Sequence, residues 1–234
     1  MQRVPADRSE RLARVLILGG VVGPPLFVLV FLVEGAMRPG YDPVRLPLSL
    51  LALTGRGWVQ TANFLLCGAL SVGLALGLGM RPDSSRPLPR LGRILIALFG
   101  LGLIAAGVFP TGPGGGYPPG VRGSSSDVTA HDVATLVVFA SLALAALVAA
   151  RTGVRAGDRG WAATSAVAGV VLVVGFALMV VAFSSRSELS PIGGLIQRLT
   201  VLVGWGWLMA LALREAGGPG WRPADGPPRP DAGR

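Results

Sequence analysis

The sequence predicts an all-α protein, a bundle of six transmembrane helices with both termini in the cytoplasm. Half of the residues are hydrophobic, 51%, against 14% that are charged. The apolar residues fall in six runs separated by loops rich in Arg, Pro, Gly and Ser. A helix needs roughly 20 apolar residues to cross about 30 Å of hydrocarbon. Each run is close to that length, so we expect a polytopic membrane protein without a separate soluble domain.

This pattern divides the chain into three regions. Residues 1–14 form a basic cytoplasmic N-terminus, residues 15–213 form the transmembrane domain, and residues 214–234 form a disordered cytoplasmic tail of Pro, Gly and Arg. The six spans are predicted at about residues 15–33, 58–80, 92–109, 132–150, 161–183 and 195–213.

The first span is longer than the apolar core of a signal peptide, and no clear A-x-A cleavage site follows it. We therefore expect an uncleaved anchor, kinked at Gly23-Pro24-Pro25 because proline removes a backbone donor. The segment after the third span, residues 110–126, is rich in Gly, Pro and Ser and is expected to be a disordered loop.

Small residues recur at four-residue intervals in the second and fourth spans. They are Ala69, Gly73 and Gly77 in one and Ser141, Ala145 and Ala149 in the other. This spacing lets helix backbones approach closely, either within the bundle or in an oligomer.

The arginines predict the orientation, since cytoplasmic loops carry an excess of positive charge. The N-terminus, residues 81–93, residues 151–160 and the tail hold 15 arginines, against five in the three opposite loops. We therefore place both termini in the cytoplasm and the other loops outside the cell membrane.

Polar and charged side chains are concentrated between the first two spans, in residues 34–60, EGAMRPGYDPVRLPLSLLALTGRGWVQ. The apolar part of this segment, residues 46–53, is too short to span a membrane. We predict a short helix or hairpin lying at the membrane interface, with Tyr41 and Trp58 as aromatic anchors.

Composition argues against several kinds of partner and site. The net charge of +9 comes from arginines dispersed over the loops and not from one basic stripe, so no nucleic-acid partner is expected. One cysteine, Cys67, and one histidine, His131, are too few for a disulfide framework or a metal site built from several His or Cys. No nucleotide motif occurs, and we expect no cofactor.

Once the spans are oriented, polar residues gather near the outer ends of spans one, two, four and six. They are Glu34, Arg38, Asp42, Gln60, Asn63, His131, Asp132, Gln197 and Arg198. Charges within a span tend to face protein or water. One interpretation is a polar pocket that opens outward, with these residues and the anchors Tyr41 and Trp58 as ligand-binding candidates. The other is that each side chain reaches the interface separately.

Arg198 and His131 are the most informative members of this group. Arg198 lies in the first turns of its helix, where the helix dipole disfavours a cation, so it should pair with Glu34, with Asp132 or with an anionic ligand. The default interpretation of His131 is a polar pair with Asp132 that starts a helix near the membrane surface. Catalysis by His131 as an acid or base is the alternative. A Ser-His-Asp triad would have to use Ser49 or one of Ser124 to Ser126 with Asp127 or Asp132, and no nucleophile elbow supports it.

Several of these motifs resemble a known family. They are Gly23-Pro24, Arg38-Pro39-Gly40-Tyr41-Asp42, Ser49-Leu50-Leu51, Gly57-Trp58-Val59-Gln60 with Asn63-Phe64, the histidine that opens the fourth span, and Gln197-Arg198. Over about residues 14–213 the chain resembles the bacterial membrane proteins of the domain of unknown function 998 (DUF998) family. The resemblance implies six spans and no established activity. Members often carry an acidic residue in the loop after the third span and a second histidine near the first, where this chain has Gly112 and His131 alone.

Two hypotheses for the function follow. The first is a non-enzymatic membrane protein that binds or moves a small amphiphile or lipid through an outward-facing polar pocket, with membrane lipids as partners. The second is an integral-membrane enzyme that acts on a lipid-linked substrate, with His131 as acid or base and Arg198 as an anion clamp. The absence of a second titratable base and of any nucleotide or metal motif favours the first.

Cysteine-accessibility labelling of intact cells tests the predicted orientation, on a background in which Cys67 is replaced. A thiol reagent that cannot cross the membrane should reach a cysteine placed at Ser125 or Ser185. It should not reach one placed at Ser84 or Gly157. Labelling at Ser84 from outside would overturn the orientation.

Overall fold

The computed structural model describes residues 8–81, 88–121, 128–184 and 187–217. Within these ranges the chain forms six long α-helices, two short 3₁₀ helices (Leu48–Ala52 and Ser190–Ile192) and no strand. The long helices are α1 (Arg8–Met37), α2 (Gly57–Gly79), α3 (Arg90–Val108), α4 (Val128–Arg155), α5 (Arg159–Ala182) and α6 (Gly193–Ala216). All six are long and apolar enough to cross a membrane. The predicted all-α bundle of six spans is therefore confirmed.

Each predicted span falls on one helix, but some helices continue past the apolar run. α1 begins at Arg8 and not near residue 15, and it continues through Pro24 and Pro25. α6 continues to Ala216, into the predicted tail. Hydropathy changes where charged residues begin, whereas the backbone hydrogen bonds of a helix extend through a polar turn. The rest of the predicted tail, residues 218–234, lies outside the described residues.

The helices form a ring. Each helix packs against the helix before it and the helix after it, and α6 packs against α1. Because successive spans run in opposite directions, α1, α3 and α5 end where α2, α4 and α6 begin. We call this side the loop end, since it carries the loop of residues 38–56 between α1 and α2. The opposite side, with Arg8 and Ala216, is the terminal end.

Glycines allow the backbones of α2 and α3 to touch. A Cβ built on Gly100 would lie 2.6 Å from the carbonyl oxygen of Gly68, and a Cβ on Gly68 would lie 2.7 Å from the carbonyl oxygen of Gly100. Any larger residue at either position would push the two helices apart.

The two small-residue faces predicted from the sequence are used inside the bundle to different extents. On α2, a Cβ on Gly77 would lie 2.9 Å from the carbonyl oxygen of Ala13 in α1, whereas Ala69 on the same face is exposed. All three members of the α4 face are buried: Ser141, Ala145 and Ala149.

The loop of residues 38–56 folds onto the bundle, and its apolar part forms a short helix, as we predicted. Its 3₁₀ helix, Leu48–Ala52, buries three leucines against the bundle: Leu48, Leu50 and Leu51. Tyr41, expected as an interfacial anchor, is 7% exposed, whereas Trp58 is 70% exposed. Tyr41 is therefore not an exposed anchor, because its ring is buried beneath the folded loop. The interfacial position of the segment and the anchor role of Trp58 stay predictions.

The loop after α3 is also folded, although we predicted disorder for residues 110–126. Gly114 and Tyr117 exchange two backbone hydrogen bonds of 3.0 Å. Tyr117 packs edge-on against Tyr41, with 5.4 Å between the ring centroids. This aromatic pair joins the two loops, and a composition of Gly and Pro does not reveal it. Residues 122–126 lie outside the described ranges.

We expect Gly100→Ala to destabilise the purified protein in detergent. The added methyl group would meet the carbonyl oxygen of Gly68, at a cost of about 1–3 kcal/mol. Gly206→Ala is the matched control, because a Cβ there meets nothing within 4 Å and alanine is the better helix former. Thermal unfolding in one detergent measures both variants. Equal melting temperatures would contradict the close contact of α2 with α3.

Candidate functional site

Glu34, in the last turn of α1, binds two arginines. Its carboxylate accepts hydrogen bonds from Nη2 of Arg38 at 2.5 Å and from Nη2 of Arg56 at 2.7 Å. The side chains of Glu34 and Arg38 are 4% and 5% exposed, whereas that of Arg56 is 58% exposed. A carboxylate buried to this extent requires such partners.

Arg38 joins this ion pair to the loop. Its Nη1 donates to the carbonyl oxygen of Leu53 at 3.1 Å and to the hydroxyl of Thr54. Its Nη2 also donates to the carbonyl oxygen of Leu51 at 3.3 Å. The guanidinium therefore holds the end of the 3₁₀ helix against the last turn of α1.

Arg198, in α6, is held by uncharged oxygens. Its Nη1 donates to the carbonyl oxygens of Leu46 at 3.1 Å and Gly194 at 3.0 Å, and its Nη2 donates to the hydroxyl of Tyr41 at 2.6 Å. The guanidinium carbon also lies 5.8 Å from the centroid of the Phe31 ring and 5.7 Å from that of Tyr41. Aromatic rings attract a cation at such distances.

The predicted ion pair of Arg198 with Glu34 or Asp132 is therefore wrong. In the part of the chain that the structure describes, Arg198 bonds to no carboxylate, and Glu34 is taken by Arg38 and Arg56. The prediction considered only charged side chains as partners, whereas the folded loop supplies carbonyl oxygens.

Tyr41 connects Arg198 to the loop backbone. Its hydroxyl accepts the hydrogen bond from Arg198 and lies 3.2 Å and 3.1 Å from the carbonyl oxygens of Leu46 and Pro47, to which it can donate. Burial raises the pKa of Tyr41 above its ordinary value, in spite of the nearby guanidinium. The hydroxyl therefore keeps the proton that this donation requires.

The loop backbone also completes the start of α6. The carbonyl oxygen of Val44 accepts from the N–H of Leu195 at 2.8 Å, and that of Arg45 accepts from the N–H of Gly194 at 3.2 Å. The first N–H groups of a helix have no partner inside the helix. These two hydrogen bonds dock the loop onto the N-terminus of α6.

Gln60 and Asn63 lie at the contact between α1 and α2. Asn63 Nδ2 donates to the carbonyl oxygen of Phe27 at 3.2 Å, and Cys67 Sγ lies 3.4 Å from Asn63 Oδ1. Gln60 is fully buried, and its Nε2 has no hydrogen-bond partner among the described residues. These side chains join two helices.

The ring of helices encloses a cavity of about 510 Å³ beneath the loop. All six helices and the loop contribute to its wall. In the middle of the bundle the wall is aromatic: Phe27 packs 4.8 Å from Trp205, and Phe139 stacks on Phe176 at 5.1 Å between ring centroids. Polar side chains line the part toward the loop end. They are Ser49, Thr111, His131, Asp132, Thr135, Ser184 and Gln197.

His131 is oriented by a backbone carbonyl. Its Nδ1 lies 2.8 Å from the carbonyl oxygen of Phe109, at the end of α3. A carbonyl oxygen only accepts, so Nδ1 carries the proton and Nε2 of the neutral ring keeps its lone pair. His131 is 5% exposed and lines the cavity. It can therefore act there as a hydrogen-bond acceptor or as a base.

The structure divides the predicted binding residues between the cavity wall and the elements around it. Three of them line the cavity: His131, Asp132 and Gln197. Gln197 also accepts a hydrogen bond from the N–H of Leu48 at 2.7 Å and so holds the loop. The other predicted residues support the loop or the helices or lie at the surface: Glu34, Arg38, Tyr41, Asp42, Trp58, Gln60, Asn63 and Arg198. No three His, Cys, Asp or Glu side chains of the described ranges come together as a metal site.

Sequence reasoning missed the aromatic part of the wall. Six of the eight phenylalanines line the cavity together with Trp205: Phe27, Phe64, Phe99, Phe139, Phe176 and Phe183. A signal was present in their distribution. Aromatic residues make up only 6% of the chain, yet every span contains at least one of these seven rings. Periodicity alone, however, does not tell whether such a ring faces lipid or the interior.

We expect Glu34→Gln and Arg38→Gln each to destabilise the protein by about 3–5 kcal/mol, since each leaves a buried charge without its partner. The double variant should cost less than the sum of the two, because no uncompensated charge then remains between them. Thermal unfolding in one detergent compares the three. Arg45→Gln, at an exposed position of the same loop, is the control and should change little. If the loss of stability in the double variant equalled the sum of the losses in the two single variants, Glu34 and Arg38 would not interact.

The family model described as "Protein of unknown function (DUF998)" matches residues 21–214. That range contains the loop contacts and the cavity wall. No curated protein and no solved structure matched. Because the family model covers well over half of the chain, the resemblance inferred from the motifs is confirmed, and the chain belongs to the DUF998 family of proteins of unknown function.

Proposed function

We propose that this multi-pass membrane protein binds a small amphiphile in the cavity of the helix ring. The observation that carries the proposal is the division of the cavity wall into an aromatic part and a polar part. An amphiphile has the same division into an apolar chain and a polar head. The chain would lie among the rings in the middle of the bundle, and the head would lie near the loop end.

The size and composition of the cavity support a small ligand. Its volume of about 510 Å³ is within the roughly 300–1,000 Å³ that is common for small-molecule sites. Such sites usually have an apolar wall with a few polar groups that orient the ligand. A single-chain amphiphile suits this volume better than a phospholipid with two chains.

Exposure supports an opening between the start of α4 and the end of α5. Asp132 and Ser184 belong to the cavity wall and are exposed. Val180 and Phe183 also belong to it and are 59% and 39% exposed. Residues that reach both the cavity and the outer surface mark a passage between the two. An amphiphile would enter sideways, from the membrane.

The distribution of arginine supports the outer leaflet as the source of the ligand. An excess of arginine on the side of the termini favours the cytoplasm for both termini and the outside of the cell for the loop end. The passage between α4 and α5 would then lie on the outer side of the cell membrane.

A second candidate, favoured by the orientation of His131, is an enzyme that acts on a lipid-linked substrate in the same cavity. The carbonyl oxygen of Phe109 holds the ring with Nε2 free to take a proton. The anion clamp expected from the sequence has less support, because Arg198 bonds to the loop and does not belong to the cavity wall. Binding is therefore the better supported function.

The proposal predicts saturable binding of a neutral amphiphile beside Trp205. Bromine quenches tryptophan fluorescence on contact, so dodecanol brominated at the end of its chain should quench Trp205, which is 4% exposed. The titration uses the full chain in a non-ionic detergent. Unbrominated dodecanol should reverse the quenching, and Trp205→Phe should abolish its saturable part.

A blocked cavity provides the second arm of this test. Thr135 is half-buried and lines the cavity near the proposed opening, so Thr135→Phe should weaken binding by about tenfold, the equivalent of ~1.4 kcal/mol. Leu136→Phe is the matched control, since Leu136 is 51% exposed and does not belong to the wall. Quenching that persists unchanged in Thr135→Phe and in Trp205→Phe would place the amphiphile elsewhere and contradict the proposal.

A further inference from the structure

Within the described ranges, the polar part of the cavity wall contains an acidic side chain and no arginine. Among the wall residues that the structure describes, the ionisable side chains are His131 and Asp132. The chain as a whole has 21 basic residues, all arginine, against 12 acidic ones. In so basic a protein, a wall without arginine indicates a ligand head that is not an anion.

The arginines that are buried or paired at the loop end bond to groups outside the cavity wall or to the loop backbone. Arg38 and Arg56 bond to Glu34, and Arg198 bonds to Tyr41 and to loop carbonyl oxygens. None of the three belongs to the wall. A phosphate or carboxylate head in the cavity would therefore find no partner in these three guanidinium groups.

Both ionisable side chains of the wall offer acceptors. The Nδ1 of His131 donates to the carbonyl oxygen of Phe109 at 2.8 Å, which leaves the lone pair of Nε2 for a donor. Asp132 is exposed where the cavity opens, and its carboxylate has no hydrogen bond or ion pair with the described residues. An ionised carboxylate accepts only. A head group that brings N–H donors and a positive charge would satisfy both.

The aromatic part of the wall begins directly below these acceptors. Asp132, Thr135 and Phe139 follow one another on a single face of α4, at i, i+3 and i+7. Phe139 stacks on Phe176. Aromatic faces attract ammonium groups as well as alkyl chains, so the wall suits a cation at the opening with an apolar chain beneath it.

We propose, on the basis of the amphiphile-binding function above, that the ligand is a single-chain amine whose ammonium head binds Asp132 and Nε2 of His131. An alkylammonium group has three donors and no acceptor. It therefore complements the two acceptors, and its alkyl chain extends toward Trp205.

Three probes with the same brominated dodecyl chain and different heads test this proposal: the amine, the alcohol and the phosphate. Each probe is added stepwise while the quenching of Trp205 fluorescence is measured. Probe concentration is expressed per mole of detergent, which corrects for the different partition of the probes into micelles. At neutral pH the amine is protonated. It should bind about tenfold more tightly than either the alcohol or the phosphate, as expected for a hydrogen bond to a charged group.

Asp132→Asn should weaken binding of the amine by about tenfold and binding of the alcohol much less, because asparagine removes the charge but keeps the shape and one acceptor oxygen. Glu188→Gln is the matched control. Glu188 is an exposed carboxylate at the same end of the bundle and does not belong to the wall, so its loss should not change amine binding. If Asp132→Asn and Glu188→Gln lost equal affinity for the amine, the proposed contact with Asp132 would be wrong.

Failure of this proposal can be distinguished from failure of the amphiphile site. If the alcohol binds as tightly as the amine, or if the phosphate binds most tightly, the amine head is wrong and the amphiphile site stands. If none of the three probes quenches Trp205 in a saturable way, the amphiphile site itself is wrong.

Discussion

The loop end of this protein depends on one buried guanidinium, that of Arg198, whose hydrogen bonds go to uncharged oxygens of its surroundings. Burying a cation without partners is costly. Arg198 obtains them from the carbonyl oxygens of Leu46 and Gly194 and from the hydroxyl of Tyr41. The seated loop of residues 38–56 is therefore a condition for the burial of this residue in α6. Seating the loop also places Leu48 and Ser49 in the roof of the cavity.

The cavity follows from the way in which the helices are arranged. Neighbours in sequence pack closely, with glycine allowing backbone contact where Gly68 of α2 meets Gly100 of α3. α6 packs against α1 and closes the ring. The backbones of helices on opposite sides of the ring lie further apart, so inward side chains fill the space between them, as Phe99 of α3 and Trp205 of α6 do with 5.2 Å between their ring centroids. The aromatic side chains do so in part, and about 510 Å³ remains.

Charge and binding are divided between different residues in this arrangement. The buried charged groups, Glu34, Arg38 and Arg198, hold the loop. The cavity wall is left with hydroxyl groups, one amide, His131 and Asp132. A concentration of charged residues near one end of a membrane protein therefore does not by itself locate a ligand. Here it supports the roof above the cavity, and the ligand that we propose would contact the less conspicuous side chains beneath.

The sequence by itself determined the number of spans. Each apolar run is long enough to cross the membrane as a helix, in which the backbone N–H and C=O groups bond to one another. Its motifs also determined the family. It did not determine that Arg198 bonds to the loop, since backbone carbonyl oxygens are present at every residue and leave no mark in the sequence. Nor did it determine which rings face the cavity. The rotation of a helix about its axis is set by the neighbours that pack against it, and only the tertiary structure brings Phe27, Phe139 and Trp205 to the same interior.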